Sequence, residues 1–335
     1  MKKWIFTGLV LIAIATCFAS AKEKKQPNPK SPKVKYPLLL TVDFNTAAPL
    51  KYKFVSERHM TLNFDPAGKY SKIGDKDSEK DEVYVEKLEM DITYKALKVD
   101  PSGYSTIEAT CDSAKVTGHG RPDAAASLTG RSFTFKVTPT GKIADDSNFV
   151  SLVKAIGAKA FTGSGQKGKI KDPDMIMDFV ATQWRIWDSA ASIQKPLKGV
   201  KKDSKWNSQL LAPMPFVSKV GRDVVYKLAG VVESNNVSYA DITSTYSLSK
   251  TPPADAPMPY GGSFQMRGTF GFLQGYKVLS ISGTGRQLFD IKKGLIKSDT
   301  QHYKTEVSAS IFGLGSNTVE PNIKIDQTTT MTLVE

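Results

Sequence analysis

The C-terminal stretch NIKIDQTTTMTLVE, Asn322 to Glu335, constrains the fold most. Ile325, Gln327, Thr329, Met331 and Leu333 alternate with Asp326, Thr328, Thr330 and Thr332, which is the period of a β-strand with one mixed and one largely polar face. Threonine in such numbers favours strand and tolerates water. YKTEVSASIFG, just upstream, reads as a second long strand.

The same reading holds over most of the chain. LLLTVDF and LKYKFVSE, joined by NTAAP, open a run of strands that HMTLNF continues. In MDITYKALKVDPSGYSTIEATCDSAKV, Met90, Ile92 and Tyr94 share one face, with Asp91, Thr93 and Lys95 on the other. Asp100-Pro101-Ser102-Gly103 supplies the turn, with proline fixing φ at its second position and glycine permissive at its fourth. Gly74 to Glu82 is charged enough to be an exposed loop. RDVVYKLAGVVESNNVSYADITSTYSLS gives a further strand pair.

Helical periodicity is confined to the middle. Phe149, Leu152, Val153, Ile156 and Ala160 form one stripe, with Ser147 as the expected N-cap. A second helix is predicted from Asp172 as cap and Pro173 at the first helical position, where no amide donor is missed. Ile176, Phe179, Val180, Trp187 and Ala190 share its apolar face, and Asp174, Asp178 and Arg185 lie opposite. Such a helix packs most simply on a sheet.

FTFKVTPTGKIAD, Phe133 to Asp145, and QLFDIKKGLIKS, Gln287 to Ser298, both read as a strand closing on a glycine turn. Tyr94-Lys95 likewise matches Tyr226-Lys227, and Thr129-Gly130-Arg131 matches Thr284-Gly285-Arg286, in the same order. The pattern predicts two copies of one β-unit separated by the helices.

The N-terminus has the anatomy of a secretory signal: Lys2 and Lys3, an apolar run from Ile5 to Ala15, then Ala19-Ser20-Ala21. The lipobox-like Ile14-Ala15-Thr16-Cys17 offers an alternative, lipidation at Cys17. The chain has two cysteines, so removing the signal leaves Cys111 alone and no intrachain disulfide. Cys111 is in phase with Ile107 and Ala109 and reads as a small buried hydrophobe. The net charge is +13, or +11 without Lys2 and Lys3, and its excess is scattered lysine. Nucleic-acid readout favours arginine clusters interleaved with aromatics, so no nucleic acid is expected and an anionic envelope surface is the counter-charge that fits. Lys22 to Pro37, rich in lysine and proline, reads as a disordered tether.

The residues LKYKF near the start, TPTGKI, Pro213 and Pro215 ahead of Val220-Gly221-Arg222-Asp223, and the Thr-rich TTTMTL form an ordered series. In this layout, from Leu38 to the C-terminus, the chain resembles a family of exported bacterial proteins catalogued as a domain of unknown function. It departs from the family pattern at Arg222, inserted between the glycine and the acid. The resemblance implies export and a β-rich fold, and no activity.

Catalytic motifs do not emerge. GSGQKGKI, Gly163 to Ile170, approaches a P-loop, but Ile170 replaces the Mg²⁺-binding hydroxyl and a helical pattern precedes it. His59, His119 and His302 lack metal-ligand spacing, and no G-x-S-x-G elbow appears. HGRPD, His119 to Asp123, is accounted for by turn chemistry. No cofactor and no metal are expected. The ligand-binding candidates are Trp184 and Trp187 on the second helix, and Phe270, Phe272 and Leu273 near the tip of a hairpin around Gln274-Gly275.

The sequence thus predicts an α+β protein, predominantly antiparallel β, in which two related β-units form curved sheets covered by a central helical pair. The boundaries are signal peptide 1–21, tether 22–37, first β-unit 38–146, helical insert 147–205 and second β-unit 206–335. A sheet curved around helices makes a half-open barrel, as in periplasmic lipid and lipoprotein carriers, an analogy of architecture alone. The expected function is non-enzymatic binding of a lipid-like apolar ligand or a protein partner in the periplasm or outside the cell, with the chain membrane-anchored if Cys17 is lipidated. A structural or adhesive role ranks second and a hydrolase third.

Overall fold

The computed structural model describes residues 35–44, 48–64, 66, 81–118, 128–162, 173–216, 219–253, 273–311 and 320–334, all within one compact unit, Pro32–Glu335. The signal segment, Cys17, most of the tether, His119 with the rest of its loop, the P-loop-like stretch, Asp172, Phe270 and Phe272 lie outside them.

Among the described residues, eleven strands form one antiparallel sheet: β1 (Leu50–Asn63), β2 (Glu82–Val99), β3 (Ser105–Gly118), β4 (Ser132–Val137), β5 (Ile143–Asp145), β6 (Lys205–Leu211), β7 (Gly221–Ser234), β8 (Val237–Leu248), β9 (Leu273–Asp290), β10 (Leu295–Ile311) and β11 (Asn322–Val334). Their order is β5-β4-β3-β2-β1-β11-β10-β9-β8-β7-β6, so the two expected curved sheets are one continuous sheet. The order is a simple meander whose seam, β1 beside β11, lies mid-sheet. The crossover from β5 to β6 therefore links the two outer edges. It carries α1 (Ser147–Thr162), α2 (Pro173–Arg185), α3 (Asp188–Ala191) and a 3-10 turn, Pro196–Lys198.

The sheet must curve. β4 and β6 are nine strand spacings apart, about 43 Å in a flat sheet at ~4.8 Å per strand. Yet Trp187 packs against Phe135 of β4 with centroids 5.4 Å apart, while two residues on, the Ser189 carbonyl accepts the Trp206 indole N–H of β6 at 2.8 Å. Only a sheet wrapped around the helices permits both contacts. The result is a half-barrel whose open side, between β5 and β6, is occupied by α3 and its flanks.

Local chemistry explains the turns. The Asp100 carboxylate accepts the Ser102 and Tyr104 amides, and Gly103 has φ +80°, as the DPSG reading requires. Asn235 and Asn236, both at positive φ, make the tight β7–β8 turn. The start of α1 differs from expectation: the Asp146 carbonyl accepts the first helical bond, from the Val150 amide, so Ser147 is the first helical residue rather than the cap. The Asp145 carboxylate accepts the Ser147 amide at 3.0 Å.

Three other readings are corrected. Leu38–Phe44 is extended, with Leu38, Leu40, Val42 and Phe44 buried, but it joins the sheet nowhere. It is a strap across one end of the barrel, tied by a two-way Leu38–Val200 bridge and by the Asp43 amide donating to the Gly294 carbonyl. Gln274-Gly275 is no hairpin tip: both residues lie within β9, Gln274 pairing with Ser310 of β10, and Leu273 is buried there. Asp178 and Arg185, assigned to the outer face of α2, are both buried.

Two apolar clusters fill the concave face. The larger one joins β1–β4, β6–β8 and β11 with the helices and the strap, and Cys111 lies fully buried in it, its thiol pushed by burial up to about 12. The smaller lies at the other end of the strands, where Ala212, Met214 and Phe216 cover Met60, Leu62, Ile281, Val307, Ile323 and Ile325.

Candidate functional site

Between the two clusters, the inward-facing positions of the strands turn polar. Ser56 and Arg58 of β1 pair with Thr329 and Gln327 of β11, which pair with Gln301 and Tyr303 of β10. Alternation places all six on the core face, where an unpaired polar atom is costly. The Tyr303 hydroxyl is buried without a hydrogen-bond partner among the described residues. Arg58, 1% exposed, donates to Glu86 of β2 at 2.7 Å and to Asp178 of α2. Arg185 of α2 donates to Thr329 at 2.6 Å and lies 3.2 Å from the Asp299 carboxylate of β10. Arg222 of β7 donates to Gln301 at 2.8 Å and stacks over the rings of Tyr246 and Tyr303, at 4.7 and 5.4 Å.

Three arginines and three carboxylates thus form a buried belt, and the polar face of α2 docks on it rather than facing solvent. Burial pushes the Asp178 carboxyl up to about 6, more than Arg58 lowers it, and burial likewise raises Asp299 against Arg185. Beside the belt lies a small cavity of about 20 Å³, room for one water molecule, lined in part by Asp178, Arg185, Arg222 and Thr329. Arg222 is therefore a structural member of this belt.

Larger spaces open beside α3. A groove of about 580 Å³ is lined by the β4–β5 turn and β5, from Gly141 to Asp146, by Val150 of α1, and by Gln183, Trp184, Trp187, Asp188 and Ala191. On the other flank, Ile193–Lys195, Gly199, Val200 and Ser204–Asn207 line a groove of about 420 Å³. Trp187 is fixed by edge contacts with Phe44, Tyr94 and Phe135, whereas Trp184 is half-buried and packs one side on Phe149. Gln183 accepts the Tyr94 hydroxyl at 2.8 Å. Asp188 keeps some exposure as a residue, but its carboxylate accepts Ser208 at 2.8 Å and Tyr226 at 2.7 Å, and burial raises it to about 6 against those bonds.

The structure brings together Trp184 and Trp187 of the predicted site residues. Leu273 is at the opposite end of the strands, inside the smaller cluster. His59 and His302 are exposed on the outer face, paired with Glu57 and Asp326. Among the described residues no group of three metal-ligating side chains occurs, and no helix is long and apolar enough to cross a membrane. Sequence reading missed the belt and the β5–β6 opening. The belt was signalled by phase, because Arg58 sits two residues from both Ser56 and Met60 on the face that also carries Tyr52 and Phe54.

The fold is a β-dominated α+β half-barrel with mostly antiparallel pairing. The chain belongs to the Family of unknown function (DUF6263), whose model matches residues 86–296. No curated protein matches. Among solved structures, a lipovitellin chain, described under lipid–protein interactions in lipovitellin, aligns over 88% of this chain at 10% identity with a TM-score of 0.36. This chain spans about a quarter of that one, 26% of its length.

Proposed function

We propose that this is an exported, non-enzymatic envelope protein that binds a lipid-like ligand along the open side of its half-barrel. The observation that carries the reading is the groove of about 580 Å³ beside Trp184 and Trp187, inside the roughly 300–1,000 Å³ range of small-molecule sites. Its lining mixes indole, valine and isoleucine surface with Lys142, Asp145 and Gln183, which suits an amphiphile with its apolar body against Trp184 and its polar end at the rim. The belt cavity among the described residues has room for about one water, so the proposed ligand site is the groove rather than the belt. An unoccupied groove would favour the structural or adhesive role instead.

Native mass spectrometry of the protein from its own envelope, before and after solvent extraction, tests this reading. A stoichiometric lipid-sized adduct is expected, lost on extraction and lost in Trp184→Ala. A bare polypeptide mass, unchanged after incubation with envelope lipids, would sink it. The same masses report whether the mature chain starts at Lys22 or at a lipidated Cys17.

The two-unit organisation belongs to this proposal as well. β2–β5 and β7–β10 run in the same sense along the sheet, and Gly141 and Gly294 occupy equivalent turns. The third landmark is unequal: Thr129-Gly130-Arg131 precedes β4, whereas Thr284-Gly285-Arg286 lies within β9. Duplication predicts that other family members keep the Tyr94/Tyr226 and Gly141/Gly294 correspondences, and independent variation of the two halves would refute it.

A further inference from the structure

The strap end of the barrel carries a surface that neither the groove nor the core uses. Leu197 is 91% exposed at the centre of the 3-10 turn, on a backbone fixed by Lys198 N–H to Lys195 O and Gly199 N–H to Pro196 O, both 3.0 Å. The Leu38–Val200 bridge brings the strap alongside, with Leu39 51% and Tyr36 37% exposed. Lys35, Lys195, Lys198 and Lys201 surround these side chains in sequence and are exposed, and none has a carboxylate partner among the described residues.

We infer that this turn docks the protein on a bilayer bearing anionic headgroups, with Leu197 as the inserting side chain and the lysines at headgroup level. The chemistry selects lipid over protein. Three apolar side chains are far fewer than the roughly 20–30 residues a stable protein interface uses on each side, and lysine is depleted from such interfaces. A bilayer asks for less: a shallow apolar anchor with basic side chains that reach the headgroups. The turn is also the rim of the groove of about 420 Å³, through Lys195, Gly199 and Val200, so docking sets the open side of the half-barrel against the lipid. The inference rests on the lipid-binding reading, but its test is independent of ligand retention.

The test uses the full chain with Cys17→Ser and Leu197→Cys, labelled with an environment-sensitive fluorophore; buried Cys111 stays unlabelled. On phosphatidylcholine vesicles containing phosphatidylglycerol, the label blue-shifts and is quenched by brominated acyl chains, and on pure phosphatidylcholine it does neither. A label at Thr300→Cys, on the outer face, stays silent on both. Lys198→Gln with Lys201→Gln weakens the response about 25-fold, about fivefold for each charge removed. Trp184→Ala leaves the response intact even though it abolishes ligand retention. A silent Leu197 label on vesicles that nevertheless retain the chain, or an equal response on neutral vesicles, overturns the inference.

Discussion

At the strap end of the strands the concave face is filled by aromatic rings, two helices and the Leu38–Phe44 segment; at the other end it is filled by Ala212–Phe216 lying on methionine and aliphatic side chains. The first filling interlocks: Trp187, Phe135, Phe133, Phe149 and Phe179 form a chain of ring contacts running from β4 through α1 and α2. The second rests mainly on aliphatic and methionine side chains, with Phe216 stacked on Tyr276 at 4.3 Å. The belt separates the two. It gives α2 a polar surface that fits only one rotation of the helix, because Asp178 must reach Arg58 while Arg185 reaches Asp299. The difference teaches that position along the strands, rather than helix amphipathicity, decides what each face of α2 meets, since Phe179 and Val180 on one face and Asp178 and Arg185 on the other are all buried.

The largest effect expected comes from breaking the belt. Arg58→Met leaves Asp178 and Glu86 buried without their cation, and should lower unfolding free energy in urea by about 3–5 kcal/mol. Arg58→Met with Asp178→Leu and Glu86→Leu should recover most of the loss, because no unpaired charge remains. A loss below about 1 kcal/mol in the single variant would mean that the belt is well solvated and does not separate the two ends.

At the aliphatic end, Met214→Ala should cost about 2–3 kcal/mol through a cavity and leave the mass of any bound adduct unchanged. If the adduct disappeared with it, the two ends would be coupled through the belt, and the comparison would need redrawing.

Acidity acts on the belt and on the groove wall together. Asp178 and Asp188 have folded values of about 6, above the ordinary 3.8, so the folded state holds more protons than the unfolded state between those values. Stability from these groups is therefore full below about 3.8 and is lost as pH rises through about 6. Moving from pH 7 to pH 5 should raise unfolding free energy, on the order of 2 kcal/mol. Asp178→Asn should remove part of that slope. A profile flat from pH 5 to 7 would mean that Arg58 and Arg185 hold Asp178 ionised throughout.

How much of this was legible in the sequence depends on whether the signal was local. Alternation in β2, β3, β10 and β11, the DPSG turn and Pro173 opening α2 are set by near neighbours and could be read directly. The belt could not, because Arg58 meets Asp178 across 120 positions and Arg185 meets Thr329 across 144. Helical periodicity then placed Asp178 and Arg185 outside, since it assumes an apolar core surface. Trp184 and Trp187 share the groove because the β5–β6 crossover folds across the barrel opening, and that information resides in the strand order alone. Leu38–Phe44 has the alternation of a strand, but hydrogen-bonds at its two ends instead of along a ladder.

That strap gives the smallest effect and the sharpest contrast between the two ends. The repeated glycine turns both meet it: a Cβ at Gly141 would lie 2.8 Å from Val42 Cγ2, and one at Gly294 would lie 2.6 Å from Asp43 N and Thr41 O. Both residues have positive φ, at +90° and +64°, so an alanine there is strained by backbone as well as by contact. Gly141→Ala and Gly294→Ala should each cost about 1–2 kcal/mol and speed hydrogen exchange at the Asp43 and Leu38 amides. Gly230→Ala in β7, where a Cβ meets nothing within 4 Å, should do neither. If exchange accelerated at the β11 amides instead of the strap, the turns would serve the sheet alone, and the match between FTFKVTPTGKIAD and QLFDIKKGLIKS would reflect hairpin geometry rather than a shared clasp on the strap.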